Sequence, residues 1–382
     1  MAYTVLARRY RSRDFAELVG QEPIARTLQA AIDQDRVAHA YLFCGTRGVG
    51  KTSLARIFAK ALAGGSDEVN AAIMGGTDTD VIEIDGASNN KVEEARDLIA
   101  NSIYTPLRGG KKIYIIDEVH MLTTQAFNAL LKTMEEPPAH VVFILCTTEP
   151  QKVPPTIQSR CQRFDFRNIP IASIADHLMN VIEQEGKTAE PELVHSVAKL
   201  GNGSMRDALS LLDRVMAAGQ TNLTQQMLDE LLGLPERELV TGVLQACAEG
   251  SAAGALERAN DMLSRGTSFE QVLDSILERV RDLMVIRACG DNTKLVEISD
   301  SAREDEAKLA ANFSVAGLTH MIALTESMQR AIKSSSCPRA LFDACVVRLA
   351  MTEHFADATA VALGRAEVNV RPMSRSAPAG KA

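Results

Sequence analysis

The sequence predicts an α/β domain built on a parallel sheet, followed by two helical domains and a tail. Three observations predict this. Short apolar runs alternate with stretches of helical periodicity over residues 1–168. A glycine-rich loop joins one of those runs to a helix. After about Ile169, helical segments succeed one another with no comparable strand signal. Strands that are apolar throughout and alternate with helices belong to a parallel sheet covered on both faces. At 382 residues and 46% apolar composition, the chain has material for two or three cores.

The loop is Gly45-Thr46-Arg47-Gly48-Val49-Gly50-Lys51-Thr52, which fits the pattern G-x-x-x-x-G-K-[ST]. Ala40-Tyr41-Leu42-Phe43-Cys44 before it reads as a buried strand. Leu54, Ile57, Phe58, Ala61 and Leu62 after it recur at helical spacing. A helix opening there points unpaired N–H groups at a phosphate. Lys51 would reach the β- and γ-phosphates of a nucleotide, and Thr52 would hold Mg²⁺.

In chain order, Met1 to Gly20 is basic and then turns, and a helix is expected from Pro23 to about Gln34. Residues 64–80 read as a linker-like passage rich in glycine. Val81-Ile82-Glu83-Ile84 is a short strand, and Asn90 with Glu93 resembles the capping pair of a helix that starts at Lys91 and ends before Thr105-Pro106. Lys112 to Ile116 is a further strand that runs into Asp117-Glu118-Val119-His120. A helix over Gln125 to Glu135 stops at Pro137-Pro138, and Val141 to Cys146 is a further apolar strand. Gly201-Asn202-Gly203 separates two of the later helices. A small helical unit ends near Gly219. A larger one runs from Asn222 to Leu363, with Leu239, Val243, Val272, Ile276, Val280 and Leu283 at spacings of three and four. The tail from Gly364 is expected to be disordered.

Four further places carry chemistry. An apolar strand ending in an acid sets Asp117 beside Thr52 to complete a Mg²⁺ shell. Glu118 then orients and deprotonates the attacking water. Thr148, at the end of the Val141 strand, could sense the γ-phosphate or hold the water; by itself it reads as a strand-end turn. Arg160, in Ser159-Arg160-Cys161, is expected at the sheet's far edge, out of reach of its own loop, where it could serve a neighbouring subunit in trans. Arg206 sits in the first turn of a helix that Ser204 would cap, where it could meet the phosphates. Two turns that open helices, Ser88 to Lys91 and Thr123 to Gln125, suit either DNA phosphate contacts or simple capping.

The bulk numbers exclude several classes. Residues 1–168 carry 20 basic and 20 acidic side chains, so the net charge of −8 lies in the rest of the chain. No broad basic footprint for nucleic acid exists, so DNA contact is local or shared. No apolar run reaches the ~20 residues of a membrane span, and Met1 to Arg13 is not a secretory signal. Seven scattered cysteines without a C-x-x-C read as free thiols in a reducing cytoplasm.

These motifs, in this order, resemble the AAA+ clamp-loader ATPases. Val5 to Arg11, Tyr41 to Gly48 and Phe127 to Pro138 narrow the resemblance to the gamma/tau type of bacterial DNA polymerase III. It is dense from residue 1 to about 215 and only patterned beyond. It implies an AAA+ P-loop domain over 1–168, a helical lid over 169–221, an all-α collar over 222–363 and a tail over 364–382. It implies Lys51 and Thr52 for ATP and Mg²⁺, Asp117 and Glu118 for hydrolysis, Thr148 as first sensor, Arg160 as trans finger and Arg206 as second sensor. Tyr10, Arg11 and Val19 resemble the adenine-side contacts, beside Gly45, Thr46, Arg47, Gly48, Val49 and Gly50 of the loop.

The implied activity is ATP hydrolysis that opens a sliding clamp and loads it on primer-template DNA. The implied partners are copies of the chain, delta- and delta-prime-type subunits, the clamp and DNA, in the cytoplasm and away from membranes. The implied subunit belongs to a DNA-directed DNA polymerase holoenzyme but has no polymerase active site of its own. The family usually inserts four zinc-binding cysteines after the P-loop helix; residues 64–80 hold no Cys or His, so no zinc site is expected. Two other readings stay open at this point. One is a DNA helicase or translocase, from the DExH-like Asp117 to His120. The other is a non-catalytic AAA+ scaffold.

Overall fold

The computed structural model describes residues 3–88, 105–108, 110–233, 237–291 and 300–352, with 235, 293, 295 and 296 between them. The capping pair Asn90–Glu93, the helix expected from Lys91, the turn residues Asn89 to Lys91 and the tail from Gly364 lie outside the described residues. The chain divides into two compact units, Met1–Thr224 and Gln225–Ala382.

The first unit opens with α1 (Leu6–Arg9), α2 (Glu22–Asp33), β1 (Ala40–Cys44) and α3 (Lys51–Ala63). Then come α4 (Asp67–Gly75), β2 (Val81–Asp85), β3 (Lys112–Asp117), α5 (Thr124–Glu135) and β4 (Val141–Thr147). A short α6 (Pro155–Gln158) leads into β5 (Gln162–Asp165). The strands form one sheet in the order β2-β3-β4-β1-β5, all pairs parallel. This is the α/β P-loop sheet that the AAA+ resemblance implies.

Side chains alternate across the sheet because successive residues of a strand face opposite ways. Tyr41, Phe43, Ile113, Ile115, Val142 and Ile144 meet Leu28 of α2, Leu54, Ile57 and Phe58 of α3, and Ile73 of α4. Leu42, Tyr114, Ile116, Phe143 and Leu145 meet Phe127, Leu130 and Met134 of α5. Each large side chain buried in this way contributes about 1.5–3 kcal/mol. Both faces are covered, which is why these strands lack polar alternation. β5 departs from that pattern: Gln162, Arg163 and Asp165 are exposed, as an edge strand allows.

The passage 64–80 is not a linker. Asp67–Gly75 is a helix, with Asp67 and Glu68 in its first turn and Ile73 fully buried. The acids favour the positive helix start, and Gly76 in a left-handed conformation (φ 73°) closes the end.

Three helices complete the first unit: α7 (Ile171–Gln184), α8 (Pro191–Leu200) and α9 (Met205–Met216). They pack through Ile174, Leu178, Val194, Val197, Leu209 and Leu212. A strand pair interrupts the expected run of helices. β6 (Thr188–Ala189) pairs in parallel with β7 (Asn222–Leu223). That pairing keeps Asn222 and Leu223 with the first compact unit, which runs to Thr224.

The second unit is helical throughout its described residues. It comprises α10 (Gln225–Leu232), α11 (Arg237–Ala248), α12 (Ala252–Ser264), α13 (Phe269–Cys289), α14 (Asp300–Ala310), α15 (Val315–Ser334) and α16 (Pro338–Ala350). Ser268 and Gln271 form a reciprocal capping box that starts α13, whose Val272, Ile276, Val280 and Leu283 are fully buried. Within that interior Glu306 is only 3% exposed and pairs with Arg279 at 2.6 Å and Arg237 at 2.8 Å. Burial lowers the Arg279 pKa, and the Glu306 charge opposes the shift. All seven cysteines are free thiols. Among the described residues, no helix is long and apolar enough to cross a membrane.

Candidate nucleotide-binding and hydrolysis site

The strand register decides which loops meet. Cys44 stands level with Thr147, and Asp85 with Asp117. The residues that follow β1, β3 and β4 therefore emerge together at the carboxyl edge of the sheet, where open parallel sheets bind ligands. Gly45 N–H donates to the Thr147 carbonyl at 3.2 Å, which ties the start of the loop to β4.

The loop Gly45–Gly50 runs directly into α3. Gly45 and Gly48 are required by close approach: a Cβ on Gly45 would lie 2.8 Å from Phe166 Cβ. Gly48 has φ 78°, and a Cβ there would lie 1.9 Å from Ser204 Oγ and 3.2 Å from Arg206 Cβ. The start of α9 thus lies against the loop. Ser204 caps that helix by accepting the Asp207 N–H at 3.2 Å, which sets Arg206 over the loop. Gly48→Ala combines this clash with a left-handed backbone, a strain of about 1–3 kcal/mol. The variant is expected to bind ATP at least about tenfold more weakly, as read by titration with a fluorescent ATP analogue. Wild-type affinity would mean that α9 does not need this contact.

Lys51 is 5% exposed and donates to the carbonyls of Gly45 and Thr46, each at 2.8 Å. Burial lowers its pKa, while nearby Cys146, Glu118 and Asp117 oppose the shift. Thr52 Oγ1 donates to Asp117 Oδ2 at 2.6 Å. The other Asp117 oxygen accepts the Glu118 N–H at 3.0 Å. A hydroxyl and a carboxylate side by side are hard oxygen donors and fit Mg²⁺. Glu118 has a left-handed backbone, φ 45° and ψ 45°. Thr148 Oγ1 donates to Glu118 Oε2 at 3.0 Å. Gly86 allows this: a Cβ there would sit 2.7 Å from the Glu118 carbonyl.

A cleft of about 540 Å³ opens at this edge. Tyr10, Arg11 and Val19 line it together with Arg47 to Thr52, Asp117, Glu118 and Arg206. Arg11 is held below its usual pKa by burial and by the Arg56 guanidinium, with Glu83 pulling the other way. Arg11, Arg47, Lys51 and Arg206 give one region of the cleft a cationic lining suited to phosphates. Thr46 Oγ1 donates to Asn168 Oδ1 at 2.7 Å, which secures the loop from the side of β5. The Tyr10 hydroxyl donates to Glu185, which also pairs with Arg9 at 2.6 Å.

Arg160 is not among the cleft-lining residues. Its guanidinium donates to the Thr156 carbonyl at 2.7 Å and to Glu135 Oε1 at 2.6 Å. β5 neighbours β1, so lateral distance across the sheet is not what separates Arg160 from the loop. Strand direction is: Gln162 stands level with Tyr41, near the amino end of β1, and Arg160 precedes Gln162. Thr123 caps α5 by accepting the Ala126 N–H at 3.2 Å, leaving Thr124 and Gln125 exposed. Of the other turn, only Ser88 lies within the described residues.

Charged or titratable cleft-side residues not marked as site residues in the sequence include Arg56, Glu83 and His177. Arg56 clamps Glu83 through two bonds, Nε to Oε2 at 2.6 Å and Nη2 to Oε1 at 2.8 Å. The signal was there: Glu83 is the one acid between apolar residues in Val81–Ile84. His177 of α7 also lines the cleft, and burial lowers its pKa. No local pattern pointed to it.

Family models match most of the chain. The model for domain III of the DNA polymerase III gamma and tau subunits matches residues 223–362. The clamp-loader ATPase lid model matches 173–221, and a DNA polymerase III delta subunit model matches 20–170. The tau subunit of Bacillus subtilis is 37% identical over 93% of this chain and 64% of its own length. The tau subunit of Escherichia coli is 39% identical over 78% of this chain and 48% of its own. The gamma subunit of Buchnera aphidicola is 33% identical over 82% of this chain and 89% of its own. The chain belongs to the DNA polymerase III gamma/tau family. It spans about half to two thirds of the two tau relatives, and most of the shorter gamma relative. The delta, lid and domain III matches succeed one another along the chain, and the delta and lid matches fall within the first compact unit.

Proposed function

We propose that the chain is an ATP-hydrolysing clamp-loader subunit. Complexed with copies of itself and with delta- and delta-prime-type chains, it opens a sliding clamp and loads it onto primer-template DNA in the cytoplasm. The observation that carries the reading is the meeting of Lys51, Thr52–Asp117 and Glu118–Thr148 at one edge of the sheet. Residues 1–168 act as the ATPase domain, 169–221 as its lid and 222–363 as the collar.

In this reading the loop N–H groups and Lys51 bind the phosphates. Arg206, carried over the loop by α9, adds a cation that tracks closure of the lid. Tyr10, Arg11 and Val19 bound the adenine side. Thr52 and Asp117 would hold Mg²⁺, which when bound neutralises phosphate charge. Glu118 accepts the proton of the attacking water, and Thr148 orients that carboxylate. Arg160 serves the site of an adjacent subunit. The test is the ATPase rate with and without sliding clamp and primer-template DNA. Stimulation that needs both is expected. Stimulation by DNA alone would favour a translocase, and absence of turnover in the assembled complex would favour a scaffold.

A further inference from the structure

His120 sits where two parts of the site meet. Its Nδ1 hydrogen-bonds with Thr147 Oγ1 at 3.0 Å and lies 3.4 Å from Glu118 Oε2. Its Nε2 lies 3.4 Å from Glu149 Oε1. The side chain is only 6% exposed. Thr147 is fully buried, and its hydroxyl also accepts the Glu149 N–H at 3.0 Å. The Glu118 oxygen that faces the ring is the one that takes the Thr148 hydroxyl. One nitrogen of the buried ring therefore meets both Glu118 and Thr147, the last residue of β4, while the other faces Glu149, two residues further on.

This matters because Glu118 is poorly anchored by its own backbone. It stands in a left-handed conformation immediately after β3, a strained position that surroundings must hold in place. A base displaced by about 1 Å can lose roughly 10²-fold in rate. The Thr148 hydroxyl fixes one contact of the carboxylate. A second contact from a rigid, buried ring fixes its direction. We infer that His120 is a positioning residue that holds Glu118 in register with the end of β4. A shift of Thr147 to Glu149 then moves the base as well. The inference rests on the reading of Glu118 as the base, and it gives His120 no contact with the nucleotide.

The test is steady-state ATP turnover of the full chain in its assembled complex, with ATP affinity measured separately. H120A is expected to lower kcat about 10–100-fold, with ATP affinity within about twofold of wild type. H120N keeps a polar group near the Nδ1 position and is expected to recover most of that rate. Wild-type kcat in H120A overturns the inference. So does a loss of ATP affinity equal to the loss of rate, because that marks a general disturbance of the site. Should H120A prove too unstable to assay, H120N and H120Q decide between them. H120Q reaches toward Glu149 but leaves the Glu118 and Thr147 side empty; at least tenfold slower turnover than H120N supports the inference, and equal rates overturn it. E118Q is measured alongside. Wild-type turnover in E118Q overturns the base assignment and this inference with it. Inactive E118Q beside a wild-type-like H120A overturns the inference alone.

Discussion

Glu118→Gln binds ATP like the wild type and hydrolyses it about 10²–10⁴-fold more slowly: that is the first expected result. The amide has the size of the carboxylate and can still accept from Thr148, whose hydroxyl lies 3.0 Å from Glu118 Oε2. The left-handed backbone at φ 45° treats the two side chains alike. What the amide lacks is a basic oxygen for the water's proton. Lys51→Ala gives the contrasting result, since this buried ammonium starts α3 and bonds to the loop carbonyls of Gly45 and Thr46; its loss weakens ATP binding directly. Nucleotide titration beside phosphate release separates the two effects. A Glu118→Gln chain that releases phosphate at the wild-type rate would show that another group takes the proton.

The second large effect is expected from Arg160. Arg160→Ala should keep ATP binding and assembly but lose clamp- and DNA-stimulated hydrolysis, by about 10³–10⁵-fold if it behaves as arginine fingers do. The fold should tolerate the change. The ion pair with Glu135 is partly exposed at both ends, 33% and 52%, and such pairs contribute about 0–1 kcal/mol. The direction of β5 puts Arg160 toward the amino edge of the sheet, while the loop lies at the carboxyl edge. A guanidinium there suits the site of a neighbour. Mixing Arg160→Ala with Lys51→Ala chains should therefore restore part of the activity, because one supplies an intact pocket and the other an intact finger. Mixed complexes that demonstrably co-assemble yet stay as inactive as Arg160→Ala alone would defeat the trans assignment.

Much of this layout is legible in the residues, for physical reasons. β1, β3 and β4 are buried on both faces, so their composition alone marks them. Parallel strands set their carboxyl ends at one edge, so the motifs that follow them must meet there. The misses have physical causes too. α4 is short and flanked by glycines, and Ile73 is its one fully buried residue, so its apolar pattern is brief. The pairing of Thr188–Ala189 with Asn222–Leu223 is a backbone match between distant segments, invisible to periodicity. The Arg56–Glu83 clamp depends on how β2 sits beside α3. The contacts of His120 depend on the kink at Glu118, and no local pattern specifies either.

The place of β1 in the sheet has a consequence for synthesis. The strand that carries the loop pairs with β4 and β5 only, and not with β2 or β3. Ala40 stands level with Phe143, about a hundred residues later in the chain. A ribosome adding roughly 5–20 residues per second leaves β1 without its sheet neighbours for about 5–20 s. During that time Tyr41, Leu42 and Phe43 form an apolar segment with two open edges, the kind of segment that holdase chaperones bind. The strand that ends at the phosphate loop is the last to be enclosed. A nascent chain therefore completes its sheet only after residues 162–165 have left the exit tunnel, and the cleft only once Arg206 has followed. Chains arrested before that point should be captured by chaperones and fail to retain ATP.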